Sequence, residues 1–202
     1  MKFYYSPGAC SLAVHIALRE QGLPFEAISV DLAKHRLQDG ANYYDISPRG
    51  YVPVLEFDNG ARHSEASALL QYLADQDPEQ ALIGRIGSER RLVVTEALAF
   101  VSTELHKVFS PWLWHKETAD STRTAVRERL AARFVELDKL FAKQDFFAGR
   151  YSVADAYAFA ILNWVNFLSI PITAHPHLQA YLQRVASRPA VQAAMRAEGL
   201  VD

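Results

Sequence analysis

The sequence predicts two parts of different fold class, an α/β domain over residues 1–78 and an all-helical domain over residues 88–202. Strand-like and helix-like segments alternate only in the first part, whereas the second part carries long apolar seams at helical spacing. Between them, residues 79–87 include two glycines and little periodicity, which predicts a linker. With 202 residues, half of them hydrophobic, the chain can bury a sizeable core.

The first part begins with an apolar strand pattern, an amphipathic helix and a second strand, which together predict a βαβ unit. After a less regular stretch, the turn sequence Asp58-Asn59-Gly60 separates two short strand patterns and predicts a hairpin. A further helix follows, with Leu69, Leu70 and Leu73 on one face. The expected strands are residues 3–5, 27–32, 52–57 and 61–63, and the expected helices are residues 11–21 and 66–75.

The second part predicts helices alone. Apolar residues at steps of three and four form two seams, and each seam predicts a long helix. The first seam comprises Val94, Leu98, Val101, Leu105, Val108 and Trp112, and the second comprises Val126, Leu130, Phe134, Leu137 and Phe141. Ser152 and Asp155 match a capping box, so a buried core helix is expected from residue 153 to residue 168. Two shorter helices are expected at residues 177–187 and 189–197, the latter with Pro189 in its first turn.

Composition excludes several classes of function. The 21 basic and 23 acidic residues form no run of like charge, so neither a nucleic-acid partner nor a membrane surface is expected. The most apolar stretch, residues 153–168, is interrupted by Asp155 and is shorter than the ~20 residues of a spanning helix. A single cysteine excludes an internal disulfide and a multi-cysteine zinc site, and no metal is expected. Because no secretory leader precedes the first strand, a cytoplasmic location is expected.

Cys10 carries the clearest chemical prediction. It follows the turn-rich stretch Ser6-Pro7-Gly8-Ala9, which places it at the N-terminus of the first helix. Unpaired amides and the helix dipole stabilise a thiolate there, which predicts a lowered thiol pKa. The alternative is a cysteine packed as a small hydrophobe. A dithiol site is excluded because Ala13 stands at the partner position and no second cysteine exists.

Several further segments resemble one family when they are taken together and in order. These segments are Tyr5-Ser6-Pro7-Gly8-Ala9-Cys10-Ser11-Leu12, Gly50-Tyr51-Val52-Pro53, Ser64-Glu65, Glu104-Leu105-His106-Lys107 and Ser152-Val153-Ala154-Asp155-Ala156-Tyr157. They resemble the bacterial beta-class glutathione S-transferases over essentially the whole chain. The resemblance implies an α/β thioredoxin-like N-terminal domain, an all-α C-terminal domain, glutathione as co-substrate and a symmetric homodimer.

The resemblance also implies roles for individual residues. Cys10, His106 and Lys107 are the implied catalytic residues. The implied glutathione-binding residues are Cys10, His35, Tyr51, Val52, Pro53, Glu65, Ala66, Thr103, Glu104 and His106. In this family the Val52–Pro53 bond is cis, which exposes peptide groups that pair with the cysteinyl part of glutathione. By spacing alone, a structural role is the alternative for Pro53, for His106 and for the helix start at Glu65.

Aromatic residues of the second part could wall a pocket for an apolar second substrate, since aromatic surfaces favour such ligands. The candidates are Phe109, Trp112 and Trp164, with Trp114 and Phe167 beside them. Packing within the core is the alternative for most of them, above all for Trp112, which falls on the first seam.

Three positions depart from the family pattern. His35 stands where relatives commonly carry a lysine for the glycine carboxylate of glutathione, and Ala66 stands where they often carry a serine. Ala99 stands where a polar residue is common. Because an imidazole is charged only part of the time near neutral pH, weaker and more pH-dependent glutathione binding is expected. Calorimetric titrations that gave equal, tight binding at pH 6 and at pH 8 would contradict this expectation.

The expected activity is conjugation of glutathione to electrophilic, mostly apolar compounds, as in detoxification. Two alternatives stay open. Cys10 could form a mixed disulfide with glutathione and catalyse thiol-disulfide exchange or reductive dehalogenation. The chain could also be a non-catalytic ligand-binding protein of the same fold, which His35, Ala66 and Ala99 favour. Retention of Cys10 and His106 argues against that last reading.

Overall fold

The computed structural model describes residues 1–202 and contains five strands and nine α-helices. The strands are β1 Lys2–Tyr5, β2 Glu26–Asp31, β3 Arg36–Leu37, β4 Val54–Glu56 and β5 Arg62–Ser64. The helices are α1 Ser11–Glu20, α2 Ala66–Ala74, α3 Glu89–Phe100, α4 Lys107–Phe109, α5 Asp120–Phe141, α6 Val153–Leu162, α7 Trp164–Phe167, α8 Pro176–Ala186 and α9 Pro189–Ala197. A 3₁₀ turn covers Tyr43–Asp45, and a π-helical segment covers Val101–His106.

The five strands form one mixed sheet in the order β3-β2-β1-β4-β5. Strand β1 pairs in parallel with β2 and antiparallel with β4, and β4 and β5 form the predicted hairpin. Side chains alternate between the two faces of β1. Phe3 therefore enters the main core and Tyr4 enters a small second core on the opposite face of the sheet. The structure thus confirms the predicted fold, a thioredoxin-like sheet domain followed by a helical domain.

Helix α1 links the two parts of the molecule. All residues from Ser11 to Leu18 are buried, because α1 packs against β1 and α2 on one side and against α6 and α9 on the other. One continuous core of 44 buried residues consequently runs from the sheet into the helices. Residues between Ala74 and Glu89 form neither helix nor strand. None of the helices combines the length and the apolar character that crossing a lipid bilayer requires.

The prediction of one long helix from Val94 to Trp112 is wrong in two respects. The helix changes to π-helical geometry at Val101, and helical structure ends at Phe109. Ser110 is extended, with φ −114° and ψ 132°, because the residue before a proline is disfavoured in helical geometry. The Ser110–Pro111 bond is cis. Trp112 therefore lies outside the seam, and 45% of its surface is exposed.

Two smaller features also differ from the expectation. Strand β3 falls in the stretch that shows no strand pattern, because a two-residue strand is too short to alternate. The expected core helix of residues 153–168 is divided at Asn163 into α6 and α7. All ten residues of α6 are buried, in keeping with its apolar sequence.

The capping box at the start of α6 is confirmed. The Asp155 carboxylate accepts hydrogen bonds from the backbone N–H and hydroxyl of Ser152 at 2.9 and 2.8 Å. It also accepts from the Phe147 N–H and the Tyr181 hydroxyl, each at 3.1 Å. Burial raises the pKa of Asp155 to about 6, although these hydrogen bonds oppose the change. The Asp155 side chain thus connects α8 and the loop that contains Phe147 to the start of α6.

We expect Asp155 to make stability depend on pH. The folded protein holds this proton more tightly than the unfolded chain, whose carboxyl titrates near 3.8. The stability contributed by the group therefore falls as pH rises from about 4 to about 6, by up to about 3 kcal/mol. Urea unfolding of the wild type and of Asp155→Asn across this range measures the effect. As pH rises, the free energy of unfolding of the wild type should fall relative to that of the variant. Parallel pH curves for the two proteins would contradict the expectation.

Candidate active site around Cys10

The loop before Cys10 is held in a closed shape. The Ser11 hydroxyl accepts from the Ser6 N–H at 3.2 Å and donates to the Ser6 C=O at 3.3 Å. Gly8 has φ +70°, and a Cβ at this position would come within 3.1 Å of the Phe167 ring, so the loop needs glycine here. Cys10 occupies the N-cap position of α1, as its sequence position predicts.

The Cys10 thiol faces the segment that contains the cis Val52–Pro53 bond. Its Sγ donates to the Val52 C=O across 3.3 Å. The preceding carbonyl, that of Tyr51, accepts from the Tyr43 hydroxyl at 2.9 Å and from the Ser47 hydroxyl at 3.0 Å. These anchors fix the peptide groups next to the thiol. The structure therefore brings Cys10 and Val52 into direct contact.

The expected lowering of the Cys10 pKa is wrong. Burial raises the pKa of the thiol to about 12, and the Glu65 carboxylate acts in the same direction. Lys107 and the amides of Cys10 and Ser11 oppose the rise without overcoming it. The hydrogen bond to Val52 also favours the protonated thiol, because only the S–H can donate it. Cys10 is thus a neutral hydrogen-bond donor at neutral pH, although the residue keeps partial exposure to solvent.

His106 ends the π-helical segment and Lys107 begins α4, and the charge of Lys107 acts on the Cys10 thiol. The His106 Nδ1 is 2.7 Å from the Tyr157 hydroxyl oxygen, and its ring meets Trp164 edge-on at 5.3 Å between centroids. Burial, with a smaller effect of Lys107, lowers the pKa of His106 to about 4. The Lys107 Nζ lies 5.9 Å from the centre of the Tyr51 ring. The imidazole is therefore neutral near pH 7, and Lys107 supplies the positive charge.

Glu65 stands at the N-cap of α2 in an unusual backbone conformation. Its φ is +73°, a region that costs a residue other than glycine of order 1–3 kcal/mol. Its side chain is 66% exposed and accepts from Arg49 Nη1 at 2.9 Å. Ser64, the residue before Glu65, pairs with Val54 in the hairpin. The carboxylate and the first amides of α2, beginning at Ala66, thus stand together at one helix end.

His35 also has a positive φ, of 50°. Its ring lies against Tyr44 with 4.6 Å between centroids. Gly50, at φ +69°, leaves the space for this ring, because a Cβ there would stand 2.7 Å from two of its atoms. The His35 Nδ1 is buried and has no hydrogen-bond partner within the protein. The imidazole is therefore positioned by packing, with one nitrogen unsatisfied.

Two of the predicted site residues make their contacts elsewhere within this chain. The exposed Thr103 hydroxyl donates to the Ala99 C=O at 3.0 Å, inside its own helix. The Glu104 carboxylate is bound by Arg129 and Arg133 of α5, at 3.1 and 2.9 Å. These arginines lower the pKa of Glu104. Neither Thr103 nor Glu104 contacts Cys10 or Glu65 of the same chain.

The predicted aromatic pocket is only partly supported. Trp164 is buried and meets His106, Phe109 and Trp114 edge-on, at 5.3, 5.8 and 5.5 Å. Phe109 is completely buried, so it supports Trp164 from within the core and lines no open surface. Trp112 and Trp114 are 45% and 44% exposed. The accessible aromatic surface near His106 is therefore that of Trp114, with Trp164 beneath it.

A buried network reaches the Cys10 loop from the far end of the chain. The Glu198 carboxylate accepts from the Gly8 N–H and from His15 Nδ1, both at 2.9 Å. His15 Nε2 in turn accepts from Arg19 at 3.1 Å. The Gly8 C=O accepts from the Trp164 indole N–H at 2.8 Å. Sequence analysis misses this network, because 190 residues separate Gly8 from Glu198 and no local pattern connects them.

The site as a whole is a set of hydrogen-bonding and charged groups. It presents a thiol at Cys10, a neutral imidazole at His106, an ammonium at Lys107 and a carboxylate at Glu65. No group of three or more His, Cys, Asp or Glu side chains has the arrangement of a metal site. Such an arrangement can hold a small zwitterionic ligand and stabilise one negative charge near Cys10.

Comparisons with known proteins agree with the predicted family. The model of the glutathione S-transferase N-terminal domain matches residues 8–76, and that of the C-terminal domain matches residues 100–189. The chain is 40% identical over 201 residues to the glutathione S-transferase GstA of Escherichia coli O157:H7, covering 99% of this chain and 100% of the relative.

Two solved structures are similar over the full length of both chains. A sphingomonad glutathione S-transferase complexed with glutathione has a TM-score of 0.93 at 43% identity, and 100% of each chain is covered. The bacterial beta-class glutathione S-transferase of Sphingomonas chungbukensis has a TM-score of 0.94 at 42% identity, also with 100% of each chain covered. The chain therefore belongs to the glutathione S-transferase family and is a glutathione transferase, as its sequence predicts.

Proposed function

We propose that the protein conjugates glutathione to electrophilic, mostly apolar compounds, with detoxification as its role in the cytoplasm. The observation that carries this proposal is the neutral thiol of Cys10, held on the Val52 carbonyl where the charge of Lys107 acts on it. The solved relative that is complexed with glutathione supports glutathione as the ligand of this protein. No metal takes part in the proposed reaction.

In the proposed complex, Glu65 pairs with the γ-glutamyl ammonium, and the amide of Ala66 binds the neighbouring carboxylate. The peptide groups at Val52 and Pro53 pair with the cysteinyl residue beside Tyr51, and His35 faces the glycine carboxylate. The glutathione sulfur then lies between the Cys10 thiol and the His106 imidazole. When glutathione binds, the single S–H of Cys10 turns from the Val52 C=O to the glutathione sulfur, which frees that carbonyl for the cysteinyl N–H.

The proposed reaction is a nucleophilic substitution or addition at carbon. The glutathione thiol releases its proton to solvent, and hydrogen bonds from Cys10 and His106, with the charge of Lys107, stabilise the resulting thiolate. The sulfur then forms a bond to the electrophilic carbon. In a substitution the leaving group departs with the electrons of its bond, and in an addition the electrons of the broken π bond take up a proton from solvent. Trp114, which packs on the buried Trp164, offers an apolar surface for an aromatic electrophile.

We further propose a symmetric homodimer. Thr103 and Glu104 make no contact with the Cys10 site of their own chain, which leaves them available to glutathione bound by the partner. Arg129 and Arg133 would then orient Glu104 toward that ligand. A dimer is the usual symmetric form of soluble oligomers.

Thiol-disulfide exchange or reductive dehalogenation through Cys10 is the second candidate. It requires the Cys10 thiolate, because the thiolate is the nucleophile in disulfide chemistry. The raised pKa of Cys10 disfavours that form at neutral pH, so the structure favours conjugation. A non-catalytic ligand-binding protein of the same fold is the third candidate, which the departures from the family pattern at His35, Ala66 and Ala99 favour.

Two assays on two variants test the proposal. Conjugation of a chloronitrobenzene and glutathione-dependent disulfide reduction are measured for the wild type, Cys10→Ala and Cys10→Ser. We expect Cys10→Ala to lose roughly tenfold in conjugation, the value of one hydrogen bond to a charged group. Cys10→Ser should recover most of that loss, because its hydroxyl also donates, and neither variant should reduce disulfides.

Each other outcome has a definite meaning. Conjugation that disappears in both variants, together with disulfide reduction by the wild type, would contradict the proposal and favour chemistry through the Cys10 sulfur. An inactive wild type that still binds immobilised glutathione would favour the non-catalytic ligand-binding protein. Survival of conjugation in Cys10→Ser is the result that separates a hydrogen-bond donor from a nucleophile.

A further inference from the structure

The His106 imidazole is held by a tyrosine from the other side of the helical domain. Its Nδ1 lies 2.7 Å from the hydroxyl oxygen of Tyr157 in α6, and the two rings are nearly perpendicular, at 84°. Tyr157 is 2% exposed, so no water competes for this contact. One imidazole nitrogen is thus occupied within the protein. Only Nε2 remains to contact a ligand.

The short distance indicates which group donates. A separation of 2.7 Å is typical of an O–H donor, whereas N–H donors usually lie near 2.9–3.0 Å. Burial raises the pKa of Tyr157 far above its ordinary value, so the hydroxyl keeps its proton. Burial also lowers the pKa of His106 to about 4, so the ring carries a single proton. A hydroxyl that donates to Nδ1 leaves that proton on Nε2.

A second hydroxyl, that of Ser102, acts on Tyr157. Ser102, in the π-helical segment, acts against the rise in the pKa of Tyr157, as a neighbouring hydroxyl donor does. When Ser102 donates to the tyrosine oxygen, the only proton of Tyr157 is directed to His106. Ser102 and His106 both belong to the π-helical segment Val101–His106, and His106 contacts Tyr157 directly. Such segments interrupt α-helices frequently at functional sites.

We propose that Tyr157, oriented by Ser102, is a positioning residue that fixes His106 with its proton on Nε2, so that the imidazole donates to the glutathione sulfur at Cys10. The proposal rests on the proposed function, which places that sulfur between Cys10 and His106. It gives the histidine a constant role, because a neutral donor stabilises the thiolate without taking up its proton. The charged and titratable groups that act on His106 and Tyr157 are Lys107, Cys10 and Glu65.

The tautomer itself is measured first, in the wild type without glutathione. Long-range proton–nitrogen correlation spectra of ¹⁵N-labelled protein distinguish a proton on Nε2 from one on Nδ1. We expect the His106 proton on Nε2 near neutral pH in the wild type. A proton on Nδ1 would overturn the proposal, whether or not glutathione binds as we propose.

The functional readout is the pKa of the bound glutathione thiol, followed by the ultraviolet absorbance of the thiolate. In Tyr157→Phe we expect this pKa to rise by about one unit, because the donor to the sulfur is no longer fixed. The value of kcat/KM should fall roughly tenfold at neutral pH and approach that of the wild type at high pH, while the glutathione Kd measured at acidic pH, where the bound thiol is protonated, stays unchanged. Ser102→Ala should shift the thiol pKa in the same direction by less.

Tyr181→Phe is the matched control. Tyr181 is an equally buried tyrosine whose hydroxyl donates to Asp155 rather than to His106. It should lose stability and leave the thiol pKa unchanged. Equal thiol pKa values in Tyr157→Phe and the wild type, in a protein that still binds and conjugates glutathione, would overturn the proposal and leave the proposed function standing. A wild type that does not bind glutathione would instead contradict the proposed function.

Discussion

Replacing Glu198 with alanine is expected to lower the free energy of unfolding by about 2–5 kcal/mol, because a buried hydrogen-bond network loses its acceptor. Glu198 and His15 are 6% and 0% exposed. The substitution leaves His15 Nδ1 and the Gly8 N–H buried without an acceptor, and each such group costs about 1–3 kcal/mol. Chemical denaturation of the wild type and the variant measures the loss.

Two control variants make this prediction specific. Glu198→Gln keeps one carbonyl oxygen as an acceptor and should lose roughly half as much stability. Glu128→Ala removes an exposed glutamate of α5 and should change stability by less than about 0.5 kcal/mol. A loss below about 1 kcal/mol in Glu198→Ala would show that the network does not hold the Cys10 loop to the helical domain.

Replacing Glu65 with glutamine is expected to weaken glutathione binding by roughly 10- to 100-fold, because a hydrogen bond between charged groups contributes about 1.5–3 kcal/mol. The carboxylate stands at the N-cap of α2, exposed and bound only by Arg49. The amide keeps the shape of the side chain and removes the charge that the γ-glutamyl ammonium requires. Isothermal titration with glutathione measures the change in Kd.

An exposed carboxylate elsewhere provides the comparison. Glu79 forms an ion pair with Arg85 at 3.6 Å and is as exposed as Glu65. Glu79→Gln should leave the glutathione Kd within about twofold of the wild-type value. If Glu65→Gln also stayed within about twofold, the proposed contact to the ammonium group would be wrong.

Local sequence patterns predicted most of the elements in this fold. Ser152 and Asp155 gave the start of α6, Pro189 gave the start of α9, and Asp58-Asn59-Gly60 gave the turn of the hairpin. Each of these features depends on residues within a few positions of one another. The alternation of strands and helices likewise predicted the order of the sheet domain. These patterns have direct physical causes in capping, backbone dihedral preference and burial of one face.

Features that depend on distant residues were not predictable in this way. A helical seam continues through Val101–His106 without a break, so nothing in its spacing indicates the change to π-helical geometry. The Glu198–His15 pair depends on how α9 packs against α1. Tyr157 was part of a recognised motif, but its contact with His106 depends on the packing of α6 against the π-helical segment.

Cys10 shows the difference most clearly. Its position at the N-cap of α1 was predicted from the turn-rich loop before it. The sign of its pKa change was not, because the sequence indicates a helix dipole and says nothing of the burial that opposes it. Burial outweighs Lys107 and the helix amides. The site is therefore better described as a set of hydrogen-bond donors than as a reactive thiolate.

The most direct test of the account is whether an occupied glutathione site covers the Cys10 thiol. Alkylation of Cys10 by iodoacetamide in alkaline buffer, with and without S-methylglutathione, measures this without a competing thiol. At about ten times its Kd, the analogue should slow the reaction roughly tenfold. An unchanged alkylation rate, with calorimetry showing that the analogue is bound, would contradict the placement of the glutathione sulfur at Cys10.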